Sequence, residues 1–203
     1  DVALLPAHLA RLASLDWDWE PLALTFGTVQ VQLLVRKDGP VRRIADLSRR
    51  GDAPLPGVGV LDPLSLSAAV GLAWMEERGL RAGTDHKVVG LPSVPSALHA
   101  LSRDEVAVVV LADTQLRTVP ADAIDRTRVL VQVGDMPGPM LVMRRGLGEP
   151  WLERLRAATL SFEPDGAQPP SAYNTRLVLP SAALLKSLDG AAARVRDSLK
   201  APA

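Results

Sequence analysis

Apolar runs of strand length recur along this chain between segments of helical spacing, and that alternation constrains its fold more than any other feature. A strand that is apolar on both faces needs helices on both sides to cover it. A chain that strings such strands and helices in series therefore predicts an α/β layer fold with a mainly parallel sheet. Val29-Gln30-Val31-Gln32-Leu33-Leu34-Val35 begins in strict alternation and ends in a continuous apolar run, the pattern of a strand passing from a half-exposed to a buried setting. Arg36 to Pro40 closes it with charge and Gly-Pro punctuation, which reads as a turn or a crossing between substructures. Val41 to Arg50 predicts a short helix, Val58 to Leu61 and Lys87 to Leu91 predict short strands, and the β-branched run Val106 to Leu111 predicts the centre of the sheet. Arg128 to Val133 and Met140 to Met143 predict a pair of strands, the second returning the chain toward its start. A helix from Glu149 that fades near Phe162, a link at residues 165–170 and a last helix from Ser181 to Leu199 complete the pattern.

The chemistry lies where strands turn into helices. Asp62-Pro63-Leu64-Ser65-Leu66-Ser67 runs from a strand straight into the helix Ala68 to Arg78, which Gly79 stops. The first amides of a helix have no acceptor within it and carry partial positive charge, so such a mouth holds an anion without a cationic side chain. Ser65 and Ser67 would add hydroxyl donors there, and the competing reading is that either simply caps the helix. Ser93 and Ser96 stand at the next helix mouth around Val94 and Pro95, with the same two readings. Asp113-Thr114 follows the central strand and meets a ligand, sits at a hinge, or caps a helix.

Other functional classes lack their residues. His8, His86 and His99 have no metal-ligand spacing and read as surface or packing histidines. No serine carries the glycine-flanked elbow of a hydrolase, and no glycine-rich loop with lysine points to a nucleotide, so no catalytic residue, metal or cofactor is assigned. Trp17 and Trp19 fit a cleft, a partner surface or the core, whereas Trp74 and Trp151 read as helix packing residues. The 23 basic side chains, mostly arginine, cancel the 23 acidic ones, so no global field draws the 203-residue chain to nucleic acid or to an anionic membrane. There are no cysteines, which excludes disulfides and thiolate chemistry. No run of about 18 apolar residues is present, and the start lacks the plan of a signal peptide, as in a mature exported protein, a cytoplasmic one or a trimmed chain.

Several of these segments together resemble the phosphate, phosphite and phosphonate substrate-binding proteins of ABC transporters. Leu34-Val35-Arg36-Lys37-Asp38-Gly39-Pro40-Val41, followed by Ile44-Ala45-Asp46-Leu47, is similar to the family's strand ending in valine-arginine-lysine-aspartate-serine-proline before a short leucine-alanine-aspartate-leucine helix. Gly59 to Ser67 is similar to its anion-binding turn, Met140 to Arg145 to its return strand, and Asp1 to Leu5 to the strand before the first crossover. The resemblance covers roughly residues 1 to 162. It implies a type II periplasmic-binding-protein fold of two α/β lobes with a hinge, residues 1–38 and 142–203 forming one lobe and 39–141 the other. The first lobe would be incomplete, because the family begins with two further strands and a helix. A small anionic ligand would be contacted by Ser65, Leu66, Ser67, Ser93, Val94 and Asp113 and passed to an ABC permease in the periplasm, with no enzyme activity. Leu66 replaces the family's middle hydroxyl residue, Val94 stands near an expected histidine, and Leu111 near an expected acid. Those departures favour the alternative, a binding-protein fold reused as a sensor or protein-interaction module without phosphonate affinity.

Overall fold

The computed structural model describes residues 1–49, 51–117, 119–163 and 176–200; the link expected at 165–170 lies outside them. The described elements are β1 (Val2–Leu5), α1 (Ala7–Asp16), β2 (Trp19–Thr25), β3 (Thr28–Arg36), a 3-10 turn (Ile44–Leu47), β4 (Gly57–Val60), α2 (Leu66–Glu76), β5 (Lys87–Gly90) and α3 (Val94–Ser102). They continue with β6 (Val108–Ala112), α4 (Asp113–Leu116), α5 (Ala121–Ile124), β7 (Thr127–Pro137), β8 (Met140–Arg144), a 3-10 turn (Arg145–Leu147), α6 (Glu149–Leu160), β9 (Leu177–Val178), α7 (Ala182–Ser187) and α8 (Asp189–Lys200). The chain divides into two compact units, residues 1–28 with 137–203, and residues 29–136. The sequence placed the first boundary after residue 38. Residues Val31 to Leu34 of β3 ladder with β6, which puts that strand in the second unit.

In the first unit a four-stranded sheet runs in the order β1-β8-β2-β9. Its ladders are antiparallel, with Val2 opposite Met143, Trp19 opposite Arg144 and Leu24 opposite Val178. The register slips between Pro21 and Ala23, where proline brings no N–H to the ladder. Helix α6 lays Leu152 on Leu22 and Met143, and α1 is tied to α8 by Arg11–Asp189 at 2.7 Å and Arg196–Asp16 at 2.6 Å. Two expectations are corrected here. Asp1 to Leu5 does not directly precede the first crossover, because α1 and β2 intervene; the buried stripe of α1 is built largely from Ala7, Ala10 and Ala13, which give a faint hydrophobic signal. Trp151 is not a packing residue: it is 54% exposed, with the Arg154 guanidinium 5.5 Å from its ring centre.

The second unit is a five-stranded sheet in the order β5-β4-β6-β3-β7, with β6 at its centre as the β-branched run predicts. Strand β4 is parallel to β5 and β6, and β3 is antiparallel to β6, so the sheet is mixed where a mainly parallel one was expected. Strands β7 and β8, expected to pair, lie in different sheets, although β8 does return the chain to β1. Alternate residues of β6 face opposite sides. Val108 and Val110 join the core that takes in Ala68 and Met75 of α2. Val109 and Leu111 join the core of Ala97, Leu98 and Leu101 from α3. Each fully buried valine or leucine contributes roughly 1.5–3 kcal/mol, so two helices on two faces fix this sheet firmly. Trp74 packs partly against the α2 core, with Arg78 3.7 Å over its ring.

Between α2 and β5 lies His86, 1% exposed, with neither ring nitrogen hydrogen-bonded. Burial pushes its pKa below the ordinary histidine value, and the neighbouring Asp85 carboxylate acts in the opposite sense. That carboxylate is already engaged by the Arg81 amide at 2.9 Å and the Ser48 hydroxyl at 3.3 Å.

Candidate functional site

Topology gathers the candidate residues at one end of the second unit's sheet. The chain moves from β4 through α2 outward to β5, then through α3 on the opposite face back past β4 to β6. Strand order reverses there, and the carboxyl ends of β4 and β6 flank the kind of switch point at which open α/β sheets take ligands. Val60 and Gly90 are register partners, and the Leu91 amide donates to the Val60 carbonyl at 2.8 Å, so the α2 and α3 mouths open at the same sheet end. Gly59 permits the close fit behind them: a Cβ there would lie 2.7 Å from Leu91 Cδ1 and 2.9 Å from Val109 Cγ1.

At the α2 mouth, Ser65 is the cap. Its hydroxyl donates to the Asp62 carbonyl at 2.7 Å and accepts from the Ala68 amide at 3.2 Å. The Asp62 carboxylate accepts from the Leu64 amide at 2.8 Å and closes the turn. The Ser65 proton and one of its lone pairs are thereby spent on local structure. Ser67 differs: because Ser65 gives its proton to Asp62, the Ser67 hydroxyl is the donor in a long 3.3 Å contact with Ser65 Oγ, and the residue is 7% exposed. The amides of Leu66 and Ser67 precede the first helical acceptor, so this mouth presents two backbone donors. The Leu66 side chain is buried, and what the residue offers at the mouth is its amide.

The α3 mouth repeats the cap with less to offer. Ser93 accepts from the Ser96 amide at 3.2 Å and shares a hydrogen bond with the Ser96 hydroxyl at 2.9 Å. Pro95 is the second helical residue and has no N–H, which leaves the Val94 amide as the free donor. The Val94 side chain is buried in the α3 core.

Asp113 opens α4 at the end of β6. One carboxylate oxygen accepts from the Gln30 amide at 3.1 Å, extending the ladder one step beyond Val31 and Ala112, and the other accepts from Arg117 at 3.1 Å. The carboxylate ties β3 to β6 at this pole. Leu111 is fully buried in the α3 core, and an unpaired carboxylate in its place would cost several kcal/mol. Two residues escaped the sequence reading: the Gln30 side chain donates to Asp135, joining the start of β3 to the end of β7. The polar positions in the alternation of β3 were the available signal for Gln30, while Asp135 was hidden in an apparent turn around Gly134 that is in fact strand.

A groove of about 530 Å³ runs along α3 of the same unit from Pro95 to Ser102, lined also by Arg36, Asp122, Asp125 and Arg126. Arg36 is already paired with Asp38 at 3.0 Å and Asp104 at 2.5 Å. Acids and cations alternate there, so the groove presents no field of one sign.

Residues 1–179 match the family model described as "ABC transporter, phosphonate, periplasmic substrate-binding protein". No curated protein matches in sequence. Among solved structures, XAC2383 from Xanthomonas citri bound to ATP is similar at TM-score 0.77 and 17% identity, over 97% of this chain and 79% of that one. A binding protein component of an ABC phosphonate transporter (PA3383) from Pseudomonas aeruginosa gives TM-score 0.75 at 16% identity, over 99% and 71%. PhnD1 from Prochlorococcus marinus in complex with methylphosphonate gives 0.69 at 11% identity, over 97% and 78%. At such identities these likenesses speak for the type II binding-protein fold.

Proposed function

The chain belongs to the periplasmic substrate-binding family of ABC phosphonate transporters, and from that premise we propose that it captures a small phosphate- or phosphonate-like anion for an importer. The observation that carries this reading is the α2 mouth: two amides ahead of the first helical acceptor beside the buried Ser67 hydroxyl, at the switch point of the sheet. Tetrahedral oxyanions have several equivalent acceptor oxygens, and converging N–H and O–H donors match them better than a single cation does. Ser67 and the Leu66 amide would hold one oxygen set, and the Val94 amide a further oxygen, with Ser65 and Ser93 keeping the two mouths wound. Asp113 would act from behind by fixing β3 to β6. Leu66 and Val94, apolar where the family is polar, would then remove side-chain donors while leaving the backbone ones, which predicts weaker capture than in a mouth with all its hydroxyls. Binding would stabilise the state that presents these donors together, and release to a permease would follow its opening.

No described helix is long and apolar enough to cross a membrane, and a periplasmic location and a permease partner are part of the same proposal. The test is calorimetric titration of the full-length protein with phosphate, phosphite, methylphosphonate and ethylphosphonate, alongside thermal melts. One-site binding of at least one, with a raised melting temperature, is the expected result. No heat and no shift with any of the four would overturn it.

A further inference from the structure

Gly71 stands midway along α2, a position where alanine ordinarily strengthens a helix. Here it would not. A Cβ at residue 71 would lie 2.5 Å from Val110 Cγ1 and 3.3 Å from Cγ2, inside the ordinary carbon contact of about 3.5–4.0 Å. Val110 has nowhere to turn: it is β-branched and stiff at χ1, 1% exposed, and on the central strand. Helix α2 therefore seats against β6 more closely than any side chain at position 71 allows.

Ser67 lies one turn earlier, at the i, i+4 spacing that puts it on the same helical face as Gly71. Strand β6 continues from Val110 to Ala112 and hands over to Asp113 at the candidate site. We propose that Gly71 is a positioning residue for the anion site: its missing side chain sets the depth at which Ser67 and the first-turn amides of α2 meet the carboxyl end of the sheet. This rests on the anion-capture reading above. An added methyl group has to move α2 outward by about 1 Å to restore normal contact. That exceeds the spread of good hydrogen-bond lengths, about 2.7–3.2 Å, and a stiff helix carries the movement to its mouth.

The experiment compares Gly71→Ala, Val110→Ile and the double variant Gly71→Ala/Val110→Ala with the unaltered full-length protein, each below its own melting temperature. Val110→Ile pushes on the helix from the strand side and serves if Gly71→Ala does not fold. The first readout needs no ligand: amide exchange and nitrogen chemical shifts of Leu66 and Ser67 should change in both single variants and return in the double one. The second is titration with inorganic phosphate and with methylphosphonate. Affinity should fall about tenfold in the single variants, as expected for the loss of one charge-assisted hydrogen bond, and recover in the double variant. Leu80→Ala, a core truncation in the same unit, should lower the melting temperature and leave affinity unchanged. Unmoved first-turn amides, unaltered affinity in folded Gly71→Ala, or an equal loss in Leu80→Ala would each overturn the assignment. If neither probe binds the unaltered protein, anion capture of these two compounds fails, and the amide measurements alone decide the positioning claim.

Discussion

The mouths of α2 and α3 open at the same sheet end, and each is capped by a serine that accepts from an amide three residues on, at 3.2 Å. They differ at the second helical residue, where α2 has Ser67 and α3 has Pro95. Serine there supplies an N–H and a hydroxyl; proline supplies neither and instead presets φ for the first turn. On the proposed function, the pair separates capping from anion capture. Ser65 and Ser93 wind their helices, while the capacity to donate outward is decided two residues later.

Exchanging that second residue tests the contrast most severely. Ser67→Pro gives α2 the α3 pattern, removing an amide and a hydroxyl at once, and should weaken anion binding by about 3 kcal/mol, roughly a hundredfold. Titration of the folded variant would read this directly, and undiminished affinity would show that α2 is not the principal donor. Ser67→Ala keeps the amide and should cost about 1.5 kcal/mol of binding with little change in melting temperature. The caps should behave in the opposite way. Ser65→Ala and Ser93→Ala should each lower unfolding stability by about 1 kcal/mol in denaturant titrations, with smaller effects on affinity. Pro95→Ser, which gives α3 an additional amide, should change affinity by less than about 1 kcal/mol, and in the favourable direction.

A last probe concerns His86, just before the strand that feeds α3. Its pKa is lowered in the folded chain, so the unfolded chain takes up the proton first. Its contribution is present in full above the unfolded value of about 6.5 and is lost as pH falls below that, until folded His86 itself protonates. Urea midpoints measured from pH 7.5 down to 5 should therefore fall more steeply for the unaltered protein than for His86→Leu. Parallel slopes would mean that the unpaired imidazole does not govern acid sensitivity.

Local features were readable in the residues themselves. The alternation of Val29 to Val35, the β-branched run around Val108 to Val110 and the serines before α2 and α3 each specify a conformation through nearest neighbours. Strand direction was not readable, since nothing in β3 states that it opposes β6, and β7 and β8 are adjacent in sequence yet belong to different sheets. Helix α1 was missed because alanines bury a face without announcing it. Sequence also could not separate Ser65 from Ser67: both are hydroxyl residues at a helix start, and only their partners show that Ser65 caps the helix while Ser67 holds no more than a long contact to Ser65. Gly71 carries no local signal of its own, because what excludes a side chain there is Val110, distant in sequence.

The division of β6 between two cores has a consequence for how such a protein diversifies. Val108 and Val110 are committed to one side and Val109 and Leu111 to the other, so no residue of that stretch is at liberty to become polar. Freedom begins where the strand stops. On the proposed site, new solute preferences would arise beyond the sheet, in the turns and first helical residues at 62–67, 92–96 and 113–116, while the scaffold that carries them stays unchanged.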